Sequence, residues 1–364
     1  MKIGILTVPF NNNYGGYLQS FALMTVIRNL GHDVVLINRR PECNASYLKL
    51  IKGFIKYHIG GDKTRVYNKK TMEKYYRQKG EKMMPFVDKY ISPKTDNLYN
   101  ISDYFNLNKY KLEAVIVGSD QVWRPQYVPN IYEYFLEYIP CNVRKIAYAA
   151  SFGTDKLEYK SETLNRCKDL IKSFKAVSVR EKSGMDLLKK HFNYEKAEVI
   201  LDPTMLLSKN DYLNAVDNES VSVPTGVFAY ILDRNEEKER IATQLGELYN
   251  DSVFDIMKIS QYAPYHSIEE WLNGINKAKI VITDSYHGTV FSILFNKPFY
   301  VISNYKRGNS RITDLLSMFS LNDRLISDVN NIRRIDETID WDYVNNRLLQ
   351  LQNKSFDFLK KALS

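Results

Sequence analysis

The residue best placed for chemistry is a histidine in a turn. Ile280-Val281-Ile282 is a short β-branched run, the composition of a buried strand. It ends in the polar turn Thr283-Asp284-Ser285-Tyr286-His287-Gly288. Val290, Phe291, Ile293 and Leu294 then follow helical spacing until Asn296-Lys297-Pro298 stops them. A strand entering a helix through such a turn presents backbone N–H groups and side chains at one edge of a sheet. In parallel α/β proteins anionic ligands bind at that edge. An imidazole titrates near neutral pH, so His287 can both give and take a proton there. Two readings stand level. His287 is a general acid/base, or Asp284 or Ser285 caps the helix and His287 is satisfied locally.

Other apolar runs end in the same way. Ala114-Val115-Ile116-Val117-Gly118 leads to Ser119-Asp120-Gln121-Val122-Trp123, and Ile146-Ala147-Tyr148-Ala149-Ala150 to Ser151-Phe152-Gly153-Thr154. Ala176-Val177-Ser178-Val179 leads to Arg180-Glu181-Lys182-Ser183-Gly184, and Val199-Ile200-Leu201 to Asp202-Pro203-Thr204. Taken singly, Asp120 and Ser151 fit helix caps or turns, and Asp202-Pro203 reads as one. A core alone gives no reason to repeat polar clusters at equivalent strand ends, so the repetition favours a ligand site.

The elements that position these residues form two α/β series. Ile3-Gly4-Ile5-Leu6-Thr7 reads as a first strand, 11–16 as a loop, 17–30 as a helix ended by Gly31, and Val34-Val35-Leu36-Ile37 as a second strand. This start is Rossmann-like but lacks G-x-G-x-x-G, and Asn38 stands where an acid would hold a ribose, so dinucleotide binding is not supported. Gly15-Gly16 either makes a tight turn or lets a phosphate or sugar approach the backbone. Residues 41–110 are basic and tyrosine-rich, with helical stretches and no convincing strand, and read as an insertion. The expected organisation is an N-terminal domain over 1–205, a linker over 206–222, a second Rossmann-like domain over 223–338 and a terminal helix over 339–364. The fold class is α/β, with two Rossmann-like domains facing a cleft and the C-terminal helix packing back across the hinge. That architecture suits a transferase with two large substrates, whose closure excludes water.

Composition narrows the classes. With 44% hydrophobic and 26% charged residues, the chain has the make-up of a folded soluble protein. No apolar stretch nears the roughly 18–20 residues that span a bilayer, and the first residues read as strand and loop rather than a signal peptide. A cytoplasmic location is expected. Cys43, Cys141 and Cys167 are widely spaced and form neither a disulfide framework nor a zinc site, and no other metal-ligand cluster is evident. The formal net charge of +9 points to anionic partners. Much of it lies in 49–82, which is either a solvated helical face or a surface resting on anionic lipid at the inner membrane face. No nucleic-acid-binding motif accompanies the charge.

Six pieces in order resemble the polysaccharide pyruvyl transferase family: Asn12-Asn13-Tyr14-Gly15-Gly16-Tyr17-Leu18-Gln19, Gly118-Ser119-Asp120-Gln121-Val122-Trp123, Ala150-Ser151-Phe152-Gly153, 178–184, Asp202-Pro203-Thr204 and 283–289. The resemblance implies a fold like the glycosyltransferase B group. It also implies transfer of a pyruvyl unit from phosphoenolpyruvate to two hydroxyls of a sugar, giving a cyclic ketal and phosphate, without a separate cofactor. The acceptor would be a bacterial surface-polysaccharide precursor, including a lipid-linked oligosaccharide. The family's catalytic histidine maps onto His287 and its functional arginine onto Arg180. The donor-binding set is then Arg180, Ser285, Gly288, Arg311 and Lys306, and the substrate-binding set is Gly15, Gly16, Ser119, Asp120, Trp123 and Ser151. Many members carry Arg-Leu-His-Gly or Arg-Leu-His-Ala where this chain has Ser285-Tyr286-His287-Gly288. Either Arg311, Arg307 or Lys306 supplies the missing charge, or the donor or substrate differs. Two alternatives remain: a glycosyltransferase using a nucleotide sugar, with Glu269 or Glu270 as candidate ribose partners, and a non-catalytic glycan-binding protein of the same fold.

Overall fold

A computed structural model describes residues 1–41, 69–216, 223–260, 262–304, 308–326 and 339–364. Two parallel sheets organise them. The first has six strands, β1 (Lys2–Leu6), β2 (Asp33–Leu36), β3 (Ala114–Val117), β4 (Arg144–Ala150), β5 (Ala176–Val179) and β6 (Glu198–Val199), in the order β2-β1-β3-β4-β5-β6. The second has five, β7 (Val227–Tyr230), β8 (Val253–Asp255), β9 (Ile280–Thr283), β10 (Phe299–Ile302) and β11 (Leu325–Ile326), in the order β11-β10-β9-β7-β8. Every pairing is parallel. Helices cover both faces of such sheets, which is why β3, β7, β9 and β10 are buried at every position and read as unbroken apolar runs.

Parallel strands point their carboxyl ends one way, so all the polar clusters of a sheet emerge at one edge. The first helix, Tyr14–Asn29, starts three residues earlier than its apolar spacing suggests. Asn13 caps it, its side chain accepting from the Gly16 N–H at 3.3 Å, so Gly15 and Gly16 lie in the first turn rather than in a loop. The helix Tyr286–Leu294 is capped in the same way by Ser285.

The insertion is described only from Lys69 onward. The helices Lys69–Lys79 and Met84–Tyr90 and a 3-10 stretch Ile101–Tyr110 match the helical expectation. Most of the basic run 49–82 lies outside the described residues. The insertion also reaches the second domain: the buried Lys79 ammonium donates to the Ala263 carbonyl at 2.7 Å, and the Lys79 carbonyl accepts from the Tyr265 N–H at 2.8 Å.

The stretch 206–222, expected as a polar linker, carries a helix, Lys209–Asn214, with a fully buried tyrosine. The Tyr212 ring meets Phe21 of the first domain at 5.8 Å and Phe291 of the second at 4.8 Å, and its hydroxyl donates to the Thr204 carbonyl at 2.8 Å. Tyr14 stacks on Trp271 at 5.6 Å and likewise joins the halves. The two sheets therefore share one continuous apolar core. The terminal helix Trp341–Leu363 runs back over it as expected. Arg347 near its start donates to the Met318 carbonyl, Ser355 accepts from the Leu201 N–H, and its last carbonyls accept from Arg144 on β4.

Candidate active site

A cleft with room for about 90 Å³ lies between the carboxyl edges of the two sheets. Residues after β1, β3, β9 and β10 line it, among them Gly16, Asp120, Ser285, Tyr286, His287 and Arg311. His287 follows β9 in the second sheet, yet its ring rests on the first domain. A Cβ added to Gly15 would stand 2.0 Å from the imidazole Nδ1. Only glycine admits the ring there, which explains the first of the two glycines.

Beneath the cleft lies a buried ionic cluster. The Arg180 guanidinium, fully buried, donates to Asp202 Oδ2 at 2.9 Å and to Asp120 Oδ1 at 3.4 Å, and its Nε lies 3.7 Å from Glu181 Oε2. The Tyr286 ring covers it at 4.1 Å. Burial alone would lower the pKa of this guanidinium; Tyr286 and the three carboxylates more than offset that and raise it. Asp202 is held well below the usual carboxylate range: burial opposes its charge, but His287, Arg180 and Thr204 outweigh that. Asp120 is also lowered, against burial, by Arg180, His287 and Arg311. Burial pushes Glu181 up, with Arg180 and Arg311 resisting.

Asp202 does two jobs that its sequence context concealed. Its Oδ1 caps the following 3-10 turn, accepting from the Thr204 N–H at 3.0 Å and hydroxyl at 2.6 Å. Its Oδ2 accepts from Ser119 Oγ at 2.8 Å and faces His287 Nε2 at 3.8 Å. The expected cap is real and accounts for only one of the two oxygens. Glu181 and Tyr286 also belong to the site and were not singled out. Position beside Arg180 and His287 was the only available signal.

Asp284, by contrast, is turned into its own domain. It accepts from the Leu232 and Asp233 N–H groups at 2.6 and 3.0 Å, from Lys238 Nζ at 2.6 Å and from Asn304. It ties three loops of the second domain together, and the helix cap falls to Ser285.

The expected site residues divide accordingly. His287, Ser285, Arg311, Asp120 and Gly16 line the cleft, and Gly15 seats the imidazole. Arg180 lies at the site, but its guanidinium is enclosed by protein groups and not presented to the cleft. Among the described residues, the cation that lines the cleft is Arg311, whose guanidinium lies 5.9 Å from the centroid of the Tyr286 ring. Burial, with Arg180 beside it, lowers Arg311 to about 10. Ser119 and Ser151 are fully buried beneath the cleft, where Ser151 Oγ donates to Glu181 Oε1 at 2.7 Å. Gly288 packs on Thr283, whose Oγ1 would stand 2.2 Å from an added Cβ. Trp123 belongs to the core, where it stacks on Phe135 at 5.0 Å and donates from its indole nitrogen to the Tyr134 carbonyl. The turn after β3 sends Asp120 one way and the indole the other. Lys306 and Arg307 lie outside the described residues. Glu270 is committed to its own helix start, accepting from the Ser267 N–H and pairing with His266 at 2.7 Å.

Among the described residues, no helix is long and apolar enough to cross a membrane. Comparison with solved structures finds the same two-sheet architecture in a UDP-GlcNAc 2-epimerase from Neisseria meningitidis bound to UDP-GlcNAc. That match has a TM-score of 0.54 and 9% identity and covers 100% of this chain and 94% of that one. A glycosyltransferase from Rickettsia africae matches with a TM-score of 0.51 and 11% identity, covering 100% and 96%. At these identities the likeness is one of fold, the glycosyltransferase B type. Among curated proteins, General stress protein 30 of Bacillus subtilis is 28% identical over 197 residues, 50% of this chain and 52% of that relative, so the match spans about half the relative's length. The model of the family Polysaccharide pyruvyl transferase matches residues 13–306, which include the glycine turn, the ionic cluster and the histidine turn. The chain belongs to the polysaccharide pyruvyl transferase family.

Proposed function

We propose that this protein transfers a pyruvyl group from phosphoenolpyruvate to two hydroxyls of a sugar in a surface-polysaccharide precursor, forming a cyclic ketal and releasing phosphate. The observation that carries this reading is the convergence of His287 and Arg311 on one cleft whose floor is the Arg180 cluster. Phosphoenolpyruvate brings a carboxylate and a phosphate, and a guanidinium fork is the side chain best shaped to hold either. In this reading Arg311 takes the anion, the Ser285-capped helix start lies beside it, and Arg180 fixes Asp120 and Asp202 from below.

Proton balance requires an acid/base. The enol methylene of the donor must gain a proton to become the ketal methyl. The first sugar hydroxyl adds to the donor's C2 and loses a proton. Phosphate then leaves C2, and the second hydroxyl closes the ring with loss of another proton, which the departing phosphate carries away. His287 as imidazolium gives the first proton and as imidazole takes the next, a role typically worth about 10²–10⁴-fold. No separate cofactor is needed for this balance. The sugar acceptor, lipid-linked or free, would occupy the Asp120 and Gly16 side of the cleft. Contact with the inner membrane face through the basic insertion belongs to the same proposal.

The test is ³¹P and ¹H NMR of the purified protein with phosphoenolpyruvate and a panel of precursor glycans. Release of inorganic phosphate in step with a new ketal methyl singlet supports the reading. Phosphate release without that methyl signal, or no reaction with any acceptor while a nucleotide sugar is consumed, rejects it.

A further inference from the structure

We propose that Asp202 is the positioning residue for His287: its Oδ2 holds the imidazole proton at Nε2, and Nδ1 is left as the nitrogen that exchanges a proton with substrate. Three observations carry this. First, His287 Nε2 is buried with no hydrogen-bond partner, and it points at Asp202 Oδ2 across 3.8 Å. That separation is too long for a hydrogen bond but within reach of a charge pair. Second, Nδ1, the ring's other nitrogen and one carbon away from Nε2, packs against Gly15 at the start of the helix Tyr14–Asn29, whose Asn13 and Gly16 line the cleft. Third, the Asp202 carboxylate is held by four hydrogen bonds. Thr204 locks Oδ1, while Ser119 Oγ and Arg180 Nη1 fix Oδ2 at 2.8 and 2.9 Å.

An orienting carboxylate behind an imidazole fixes which nitrogen carries the proton and stabilises the imidazolium when it forms. Here the carboxylate comes from the end of β6 and the imidazole from the end of β9, so the pair spans the two sheets. The charged groups around His287 come from several elements. Asp202 and Asp120 face it from the first sheet, with Arg180 bonded to both. Tyr286 stands beside it from the second, with Arg311 against the Tyr286 ring, and the helix Tyr14–Asn29 contributes the Gly15 backbone. Asp202 is the nearer acceptor to the buried nitrogen, and Arg180, shared with Asp120, leaves its charge incompletely neutralised.

The role of Nδ1 rests on His287 being the acid/base proposed above, whereas the Asp202–Nε2 pairing does not. The experiment is therefore a long-range ¹H–¹⁵N correlation of the histidine rings in the full-length labelled protein, without donor or acceptor. His287 signals are assigned by their loss in His287→Gln. The neutral ring is expected to carry its proton on Nε2. In folded Asp202→Asn the ring should lose its preference for the Nε2 proton, and Asp202→Glu should restore it. A neutral ring protonated at Nδ1, or an unchanged tautomer in folded Asp202→Asn, overturns the proposal. If Asp202→Asn fails to fold, the tautomer of the unmodified protein decides alone. Neither readout needs turnover, so failure here leaves pyruvyl transfer standing, and failure of transfer leaves the pairing standing.

Discussion

The two walls of the cleft are built on different terms. The first-domain wall is already saturated: one buried arginine is bracketed by Asp202, Asp120 and Glu181 and roofed by Tyr286. The second-domain wall places His287 and Arg311 on the cleft surface, and its own buried carboxylate, Asp284, is spent on Lys238 and the neighbouring loops. Both walls sit at the carboxyl ends of parallel strands, and both carry an arginine and an aspartate. A charged residue at a strand end is therefore not enough to identify a ligand contact. What separates the two arginines is where they stand: Arg180 is enclosed by three carboxylates and the Tyr286 ring, whereas Arg311 lines the cleft, and their pKa values move in opposite directions.

Substitutions can break this contrast or sharpen it. His287→Ala should cost about 10²–10⁴-fold in turnover while leaving donor affinity nearly intact, measured by phosphate release beside direct titration. Near wild-type turnover would remove the acid/base from the second wall. Arg180→Ala should cost about 3–5 kcal/mol of stability in denaturant unfolding, because Asp202 and Glu181 would be left buried without their cation. A mild effect would show that the first wall is less saturated than its geometry indicates. Gly15→Ala should displace the imidazole without touching any charge, since the new methyl would lie 2.0 Å from Nδ1. A ring displaced by about 1 Å can lose on the order of 10²-fold in turnover, and a melting curve checks that the fold survives. Arg311→Ala should be the mildest for the fold yet weaken donor binding by about 10- to 100-fold, the worth of a charge-assisted hydrogen bond. The pH dependence has a definite sign. Arg311 is cationic below about 10 and neutral above it, so donor affinity should fall as pH rises through that value, and the fall should vanish in Arg311→Ala.

Much of this was legible in the chain itself, for a reason that also marks the limit. Strands buried on both faces advertise themselves as apolar runs, so β3, β5 and β9 and the polar turns that end them were readable, and with them the cleft edge and His287. The terminal helix was equally plain from its amphipathic spacing. A turn, however, does not reveal which of its side chains faces ligand and which faces core. Trp123, three residues after Asp120, went to the core, and Ser119 and Ser151 went underneath. Asp202 looked like a cap because it is one; its second oxygen meets residues 22 and 85 positions away, contacts that no local pattern encodes. Tyr212 gave a similarly weak signal, a single aromatic in a polar stretch that in fact bridges both domains.

The most direct test of the central claim, that the wall carrying Arg311 and His287 holds phosphoenolpyruvate, is calorimetric titration of the full chain with phosphoenolpyruvate alongside UDP-GlcNAc. The account predicts binding of phosphoenolpyruvate that weakens about tenfold or more in Arg311→Ala, with no response to UDP-GlcNAc. Binding of UDP-GlcNAc with none of phosphoenolpyruvate, or phosphoenolpyruvate binding indifferent to the loss of Arg311, would contradict it.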